Sequence, residues 1–200
     1  MKTTLRIHAD AMSDTPPDAD IAAMQRLAAG DDLALDEIMI RWRDRVAAFL
    51  QRMVGESGTA VDLAQETFVR LYQHRSSYSP SGAFSTYLFH IASNLARNHH
   101  RWRQRHPTVS IDGAKGLFPE SVSPDSAPDA QMQSSERLHL VETALAALPA
   151  DLRQAMLLFT YEDMSYAEIA SVMNCSTKAV ESRIYRARQA LRRLVGDDGA

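Results

Sequence analysis

The sequence predicts an all-α protein built from two small helical domains that are joined by a flexible linker. Apolar residues recur at three- and four-residue steps in every periodic stretch, and no alternating strand pattern of convincing length occurs. One long proline-rich stretch without periodicity divides the chain. The 200 residues, 45% of them hydrophobic, suffice for one ordinary domain or two small ones. Residues 1–18 are polar and aperiodic, so we expect a disordered tail there.

Residues 19–106 carry four helical patterns. The first is a short apolar stripe of Ile21, Met24 and Leu27, closed by Gly30, after which Asp31 and Asp32 offer a cap for the next helix. That second helix is expected to end at Gly55, and its apolar positions are Ile38, Trp42, Val46, Phe49, Leu50 and Met53. A third helix is predicted from about Ala60 to His74. A long fourth helix follows, with one apolar face marked by Phe84, Leu88, Ile91, Leu95 and Trp102.

Residues 107–135 have the composition of a linker. Hydrophobic periodicity vanishes, and Ser, Asp and Gly are interspersed with Pro107, Pro119, Pro124 and Pro128. A flexible coil of this length averages about 30 Å from end to end and could extend to roughly 95 Å. Two turns of B-DNA span about 68 Å. The tether could therefore reach between two DNA sites about two turns apart if it were partly extended.

Residues 136–196 carry four more helical patterns. One has Leu138, Val141, Leu145 and Leu148 and stops at Pro149, and the next has Leu152, Ala155, Met156 and Phe159. Ser165 and Glu168 have the capping-box spacing, which predicts a short helix from Tyr166 to Met173. After a tight corner at Asn174–Ser176, Ser176 or Thr177 caps a longer helix with a predicted buried seam of Val180, Ile184, Ala187, Leu191 and Leu194.

The last two of these helices match the helix-turn-helix pattern. A short helix, a tight turn and a longer basic helix favour that motif over a generic helical hairpin, and its second helix lies in the major groove of DNA. The candidates to meet bases are Thr177, Lys178, Glu181, Ser182 and Tyr185. By charge, the candidates for phosphates or guanine edges are Arg183, Arg186 and Arg188.

Charge is distributed unevenly along this chain, whose formal net charge is -3. Residues 1–66 contain seven basic and 12 acidic residues, whereas residues 67–111 contain six arginines and no acid. Residues 176–195 contain six basic residues and the single acid Glu181. Two basic islands in an acidic chain are typical of binding to polyanions, and the alternative is a solvated face on each of two helices.

Composition argues against several other classes of protein. No apolar run approaches the ~20 residues that span a bilayer, and the start lacks the apolar core of a signal peptide, so we expect a cytoplasmic protein without membrane insertion. Cys175 is the one cysteine, which excludes an internal disulfide and is expected to be a small apolar filler. Glycine-rich phosphate loops are missing, so we expect no cofactor and no nucleotide-driven chemistry.

Three motifs then follow one another in a specific order. They are DLAQETFVRLY at 62–72, AFSTYLFHIASNLARNHHRWRQR at 83–105, and LPADLRQAMLLFTYEDMSYAEIASVMNCSTKAVESRIYRARQALRRL at 148–194. With these motifs the chain resembles the extracytoplasmic-function (ECF) sigma factors of the sigma-70 family, which are bacterial initiation subunits of RNA polymerase. The resemblance implies sigma region 2 at 19–106, sigma region 4 at 136–196, and a promoter-recognition subunit that is not an enzyme.

The resemblance also implies partners and site residues. In the family, the first motif docks on the coiled-coil clamp helices of the polymerase's largest subunit, here through Asp62, Gln65, Glu66, Phe68, Val69 and Tyr72, although Phe68 and Tyr72 fit a core equally well. The second motif opens the promoter -10 element and holds the non-template strand, here through Phe84, Tyr87, Asn94, Arg97 and Asn98, with phosphate contacts from Arg101, Arg103 and Arg105. For Phe84 a core position is the alternative. Region 4 binds the -35 duplex, and an anti-sigma factor is a further implied partner.

Three residues depart from the pattern of that family. Tyr87 stands where Trp is frequent, and Ala179 replaces a frequent Gly. Glu181 stands where Lys or Arg is common, and an acid facing the groove repels phosphate and can accept from cytosine N4. We therefore expect a -35 preference different from the common one.

Two other functions remain as alternatives at this point. One is a helix-turn-helix regulator outside the sigma family, although neither a sensor domain nor a dimer surface is apparent. The other is a metal hydrolase that uses His99, His100, His106 and Glu120. Adjacent histidines on a helix point about 100° apart, and no HxxxH or HExxH pair occurs, so phosphate binding is the favoured role of these histidines and no metal is expected.

Overall fold

The computed structural model describes residues 17–80, 82–106 and 139–195, and all regular structure in these residues is helical. The all-α prediction is confirmed. The helices are α1 (Pro17–Ala28), α2 (Leu33–Val54), α3 (Ser57–Gln73), a 3-10 turn (Arg75–Ser77), α4 (Phe84–Arg105), α5 (139–147), α6 (Ala150–Thr160), α7 (Tyr166–Met173) and α8 (Thr177–Val195). The expectations for the tail up to residue 16 and for the linker lie outside the described residues.

Most helix ends follow from local sequence chemistry. Gly55 ends α2 in a left-handed conformation with φ 78°, and its amide donates to the carbonyl of Gln51. The capping box of α7 is confirmed, because the Ser165 hydroxyl accepts from the Glu168 amide and the Glu168 carboxylate accepts from the Ser165 amide. The predicted cap of α2 is wrong in detail, since Asp32 makes no side-chain hydrogen bond there.

Helices α1, α3 and α4 pack around α2. Trp42 of α2 meets Phe84 and Phe89 of α4 edge-on, with ring centroids 5.8 and 6.1 Å apart. The packed face of α4 runs from Phe84 to Ala96, and the rest of this helix carries no buried side chain. Trp102 is consequently 53% exposed, so its predicted place on the buried face is wrong. Leu194 is exposed for the same reason, because α8 extends beyond its last buried residue, Ala187.

In the second half of the protein, α6, α7 and α8 pack together. Arg153 of α6 links neighbouring segments of the chain by hydrogen bonds to their backbone carbonyls. The Arg153 guanidinium donates to the carbonyls of Leu145 and Leu148 at 3.0 and 3.1 Å. It also donates to the carbonyl of Met53, at the end of α2, at 2.9 Å. Burial lowers the pKa of Arg153. One side chain thus satisfies backbone acceptors from both halves of the protein.

The two halves pack against each other in this structure. Helix α4 contacts α7, α2 contacts α6, and the buried apolar side chains form one continuous cluster. Arg45 of α2 donates to the Glu162 carboxylate from Nη2 at 2.9 Å and from Nε at 3.2 Å. The guanidinium of Arg52 lies 4.3 Å from the centre of the Tyr161 ring. The sequence predicted two tethered domains and did not predict this interface.

Candidate nucleic-acid and docking surfaces

The predicted reading face of α8 is largely open to solvent. Ser176 caps the helix by accepting from the Ala179 amide at 3.2 Å, as predicted. The exposed candidates are Thr177, Lys178, Glu181, Ser182, Tyr185, Arg186 and Arg188. A shallow groove runs along this face, and it is lined in addition by Tyr166, which sequence reasoning missed. The Arg188 guanidinium lies 5.1 Å from the centre of the Phe159 ring, which orients it beside the groove.

Arg183 differs from the other candidates on α8. Its Nε donates to Asp151 at 3.3 Å, and its Nη1 lies 2.9 Å from the Cys175 sulfur in the turn between α7 and α8. These contacts tie the recognition helix to α6 and to the turn. Arg183 can reach a phosphate only if it gives up these contacts.

The side chains of α4 that were predicted to contact DNA lie partly in the core and partly on the surface. Phe84 is 2% exposed and belongs to the core, so the core alternative holds and the candidate base contact is wrong for this residue. Tyr87 is half-buried with its ring 5.1 Å from that of Tyr78, a neighbour that sequence reasoning missed. Burial raises the pKa of both phenols. Both phenols are therefore neutral and lie beside the start of α4.

The polar candidates on α4 lie farther along the helix. The Asn94 amide nitrogen lies 3.1 Å from Nε2 of His90, which must accept because that nitrogen can only donate. Burial and the nearby charge of Arg97 lower the pKa of His90, which keeps the ring in this neutral state. Arg97 is half-buried, whereas the remaining candidates are exposed: Asn98, Arg101, Arg103 and Arg105. The described residues therefore present two amides and four arginines along one helix.

Helix α3 exposes a mixed polar and apolar stripe. Val61, Gln65 and Val69 recur every four residues and are all exposed. Asp62 is exposed beside them, and Glu66 is half-buried and accepts from Arg70 at 2.8 Å. Val61 was missed, although its four-residue spacing from Gln65 could have indicated it.

The two aromatic residues predicted for this surface face other ways. Phe68 is buried in the core, so the core alternative holds for it. Tyr72 is half-buried, and the Arg75 guanidinium lies 3.8 Å from the centre of its ring. The exposed part of this predicted surface therefore consists of aliphatic and polar side chains.

Within the residues that the structure describes, no cluster of three or more His, Cys, Asp or Glu side chains is placed to hold a metal ion. His100 instead contacts Gln104 at 3.0 Å, and Nδ1 of His106 contacts the Trp102 carbonyl at 3.1 Å. Glu120 lies outside the described part of the chain. Of the described helices, none is long and apolar enough to cross a membrane.

The fold and these surfaces define a helical DNA-binding protein of transcription. Sigma-70 region 2 matches residues 38–106, and sigma-70, region 4 matches residues 138–191. The RNA polymerase sigma-H factor of Pseudomonas aeruginosa is 33% identical over 84% of this chain and 89% of its own length. The ECF RNA polymerase sigma-E factor of Escherichia coli is 35% identical over 86% of this chain and 92% of its own length. The chain therefore belongs to the sigma-70 family of RNA polymerase sigma factors, in its ECF group.

Solved structures show the same architecture. CnrH in complex with the cytosolic domain of CnrY has a TM-score of 0.66 and 24% identity, and covers 90% of this chain and 99% of its own, which shows the fold. The sigma factor RpoE of Bartonella quintana, in complex with the anti-sigma factor NepR, has a TM-score of 0.62 and 26% identity. That match covers 82% of this chain and 97% of the RpoE chain.

Proposed function

We propose that this chain is a promoter-specificity subunit that directs core RNA polymerase to a defined set of promoters. Its region 2 comprises residues 19–106 and its region 4 residues 136–196, and it acts in the cytoplasm as a binding protein rather than an enzyme. The observation that carries the proposal is the exposed, capped and basic α8 in a chain that matches sigma regions 2 and 4 in order.

Helix α8 is proposed to read the -35 duplex. Thr177, Lys178 and Ser182 at its start are exposed and can reach base edges, as the early residues of a recognition helix do. Arg186 and Arg188 supply the positive charge that phosphates or guanine require. Glu181 can accept from cytosine N4 and repels phosphate, so it favours a cytosine within the element.

Helix α4 is proposed to capture the non-template strand of the -10 element. Unstacking a base costs a few kcal/mol, while stacking on an aromatic ring returns ~1–3 kcal/mol per base. Tyr87 provides such a ring, and Asn94 and Asn98 provide amides for base edges. Arg97, Arg101, Arg103 and Arg105 hold the phosphates of the strand. Binding energy alone can then open the duplex, without ATP.

Helix α3 is proposed to dock on the clamp helices of the polymerase's largest subunit. A helix partner requires an exposed stripe with apolar residues at helical spacing. Val61 and Val69 supply it, and Asp62, Gln65 and Glu66 surround it with polar groups. This surface lies on a different helix from the DNA contacts, so docking and DNA binding can be perturbed separately.

Promoter engagement is proposed to require separation of the two halves. In the arrangement described above, with the two halves packed together (the closed arrangement), α4 contacts α7 and α7 contacts α8, so one helix separates the two proposed DNA-reading helices. Two turns of B-DNA separate sites by about 68 Å. An anti-sigma factor, of the kind that RpoE of Bartonella quintana binds, is a proposed partner that controls this step.

Transcription in vitro tests the proposal. Core polymerase with this chain should start RNA synthesis at specific sites on genomic promoter fragments, whereas core polymerase alone should not. Absence of any promoter-specific transcript across the fragments would overturn the assignment.

A further inference from the structure

The end of α4 carries an exposed aromatic surface that the proposed contacts do not use. Trp102 is 53% exposed, and an exposed tryptophan leaves a large apolar area in water. His99 and His106 lie three residues before it and four residues after it, which places all three rings on one stripe of the helix. We call these three residues the ring stripe.

The rings of this stripe are nearly parallel. Trp102 lies at 27° to His99 and at 24° to His106, with centroids 6.4 and 5.1 Å apart. Direct face-to-face contact would bring stacked atoms to about 3.5–4 Å. The rings are therefore offset rather than fully overlapped, and about half of the Trp102 side chain stays in contact with water.

Hydrogen bonding holds one end of the ring stripe in place. His106 Nδ1 lies 3.1 Å from the Trp102 carbonyl, so Nδ1 carries the proton and donates. The same carbonyl also accepts from the His106 backbone amide at 3.0 Å, so the backbone and the imidazole of His106 share one acceptor. The orientation of the outer ring is thus set before any ligand arrives.

Positive charge surrounds the ring stripe. Arg101, Arg103 and Arg105 are all exposed beside it. In the described part of the chain, the ion pair of this segment joins Arg103 to Glu56 at a distance of 3.8 Å, which leaves most of the charge uncompensated. Aromatic faces interleaved with arginines suit single-stranded nucleic acid, because bases stack while phosphates pair with the cations.

We propose that the ring stripe is a stacking site for an unpaired base of single-stranded DNA, with Trp102 as its central contact. The proposal rests on the proposed function, and it extends the path of the captured strand beyond Arg97 to the last turn of α4. A protein partner is a weaker match, because the arginines outnumber the apolar residues around Trp102. The site is open in the closed arrangement, so binding needs no polymerase.

Intrinsic fluorescence tests the site directly. The chain contains two tryptophans, and Trp42 is buried, so the quenchable emission belongs to Trp102. The probe is a mixed-sequence single-stranded oligodeoxynucleotide, compared with an abasic strand of equal length that keeps the phosphates. We expect the normal strand to quench Trp102 and to bind about five- to 150-fold more tightly than the abasic strand.

Variants separate stacking from charge. Because these variants lack the Trp102 signal, affinity is measured by the fluorescence anisotropy of dye-labelled strands. Trp102→Ala should reduce affinity for the normal strand toward the abasic level and leave abasic affinity unchanged, and Trp102→Phe should fall between. Equal binding of both strands by the wild-type chain, or wild-type affinity in Trp102→Ala, would overturn the proposal. Thermal unfolding of each variant checks the fold.

Transcription assays distinguish a failure of the stacking-site proposal from a failure of the proposed function. If the wild-type chain supports promoter-specific transcription and Trp102→Ala opens the same promoters with unchanged permanganate reactivity, only the stacking site is refuted. If the wild-type chain supports no specific transcript, the proposed function itself is refuted.

Discussion

Removing either partner of the Arg45–Glu162 pair should affect closure of the two halves unequally. The Glu162 side chain is 5% exposed, whereas that of Arg45 is 34% exposed. Arg45→Met keeps a stem that can cover Trp42, over whose ring the guanidinium lies at 4.4 Å, but it leaves a buried carboxylate unpaired. Glu162→Gln leaves only Arg45, which water can reach.

The expected magnitudes follow from this difference in burial. An unpaired buried charge costs about 3–5 kcal/mol, so Arg45→Met should shift the equilibrium toward the open form by roughly 150-fold or more. A partner that water can reach costs about 0–1 kcal/mol, so Glu162→Gln should shift it by no more than about fivefold. The double variant Arg45→Met/Glu162→Gln leaves no buried charge, so its equilibrium should return toward the closed form.

Energy transfer between dyes measures the equilibrium. The dyes are attached to cysteines that replace the exposed residues Ser76 and Ala147, one in each half, in a Cys175→Ser background. Low transfer in Arg45→Met and high transfer in Glu162→Gln and in the double variant are expected. Equal transfer in both single variants would refute the reasoning.

The pKa of Glu162 predicts the effect of pH on closure. Burial raises the pKa of Glu162 above its usual value near 4.5, and the attraction of Arg45 opposes this shift only in part. The closed form therefore binds a proton more tightly than an open form in which the carboxyl is in water. Lowering the pH toward 4.5 should favour closure, most clearly in Arg45→Met, and increased opening on acidification would contradict this sign.

Three further substitutions test the proposed surfaces. Arg186→Glu should abolish binding to a -35 duplex and spare binding to core polymerase. The control Arg43→Glu makes the same charge change at an exposed position of α2 and should alter neither activity. Equal loss of both activities in Arg186→Glu would contradict the two-domain assignment. Arg97→Ala combined with Arg101→Ala should reduce permanganate reactivity of -10 thymines more than closed-complex formation, and unchanged reactivity would remove α4 from strand opening. Val69→Glu should weaken core polymerase binding at least about tenfold in a titration, with folding stability changed by about 0.5 kcal/mol or less, and full binding would exclude the α3 stripe.

Local patterns predicted the helices well, because their causes lie within a few residues. The capping box at Ser165 and the end of α2 at Gly55 depend on neighbours in sequence, and both occur as predicted. Periodicity also placed Ile38 and Val180 in the core correctly. The Trp102 prediction failed because a helical period continues past the point where the packing partner ends.

The sequence indicated which helices carry the candidate site residues but not which of these side chains reach solvent. Basic islands and motif order indicated α4 and α8 as the candidate DNA-binding helices, since charge and spacing can be read along a chain. Whether Phe84 faces solvent depends on where Trp42 lies, and whether Arg183 is free depends on Asp151 of another helix. No pattern within one helix contains that information.

The sequence by itself determined the helical class, the helix-turn-helix, the two basic islands and the family, because periodicity, caps and motif order are local or compositional properties. Only the tertiary structure decided that the two halves share one core and that Glu162 is buried against Arg45, 117 residues away in sequence. It also decided that Trp102 stands in solvent between two parallel imidazoles. These features depend on which surfaces meet in space, and pairing between distant segments leaves no periodic signal along the chain.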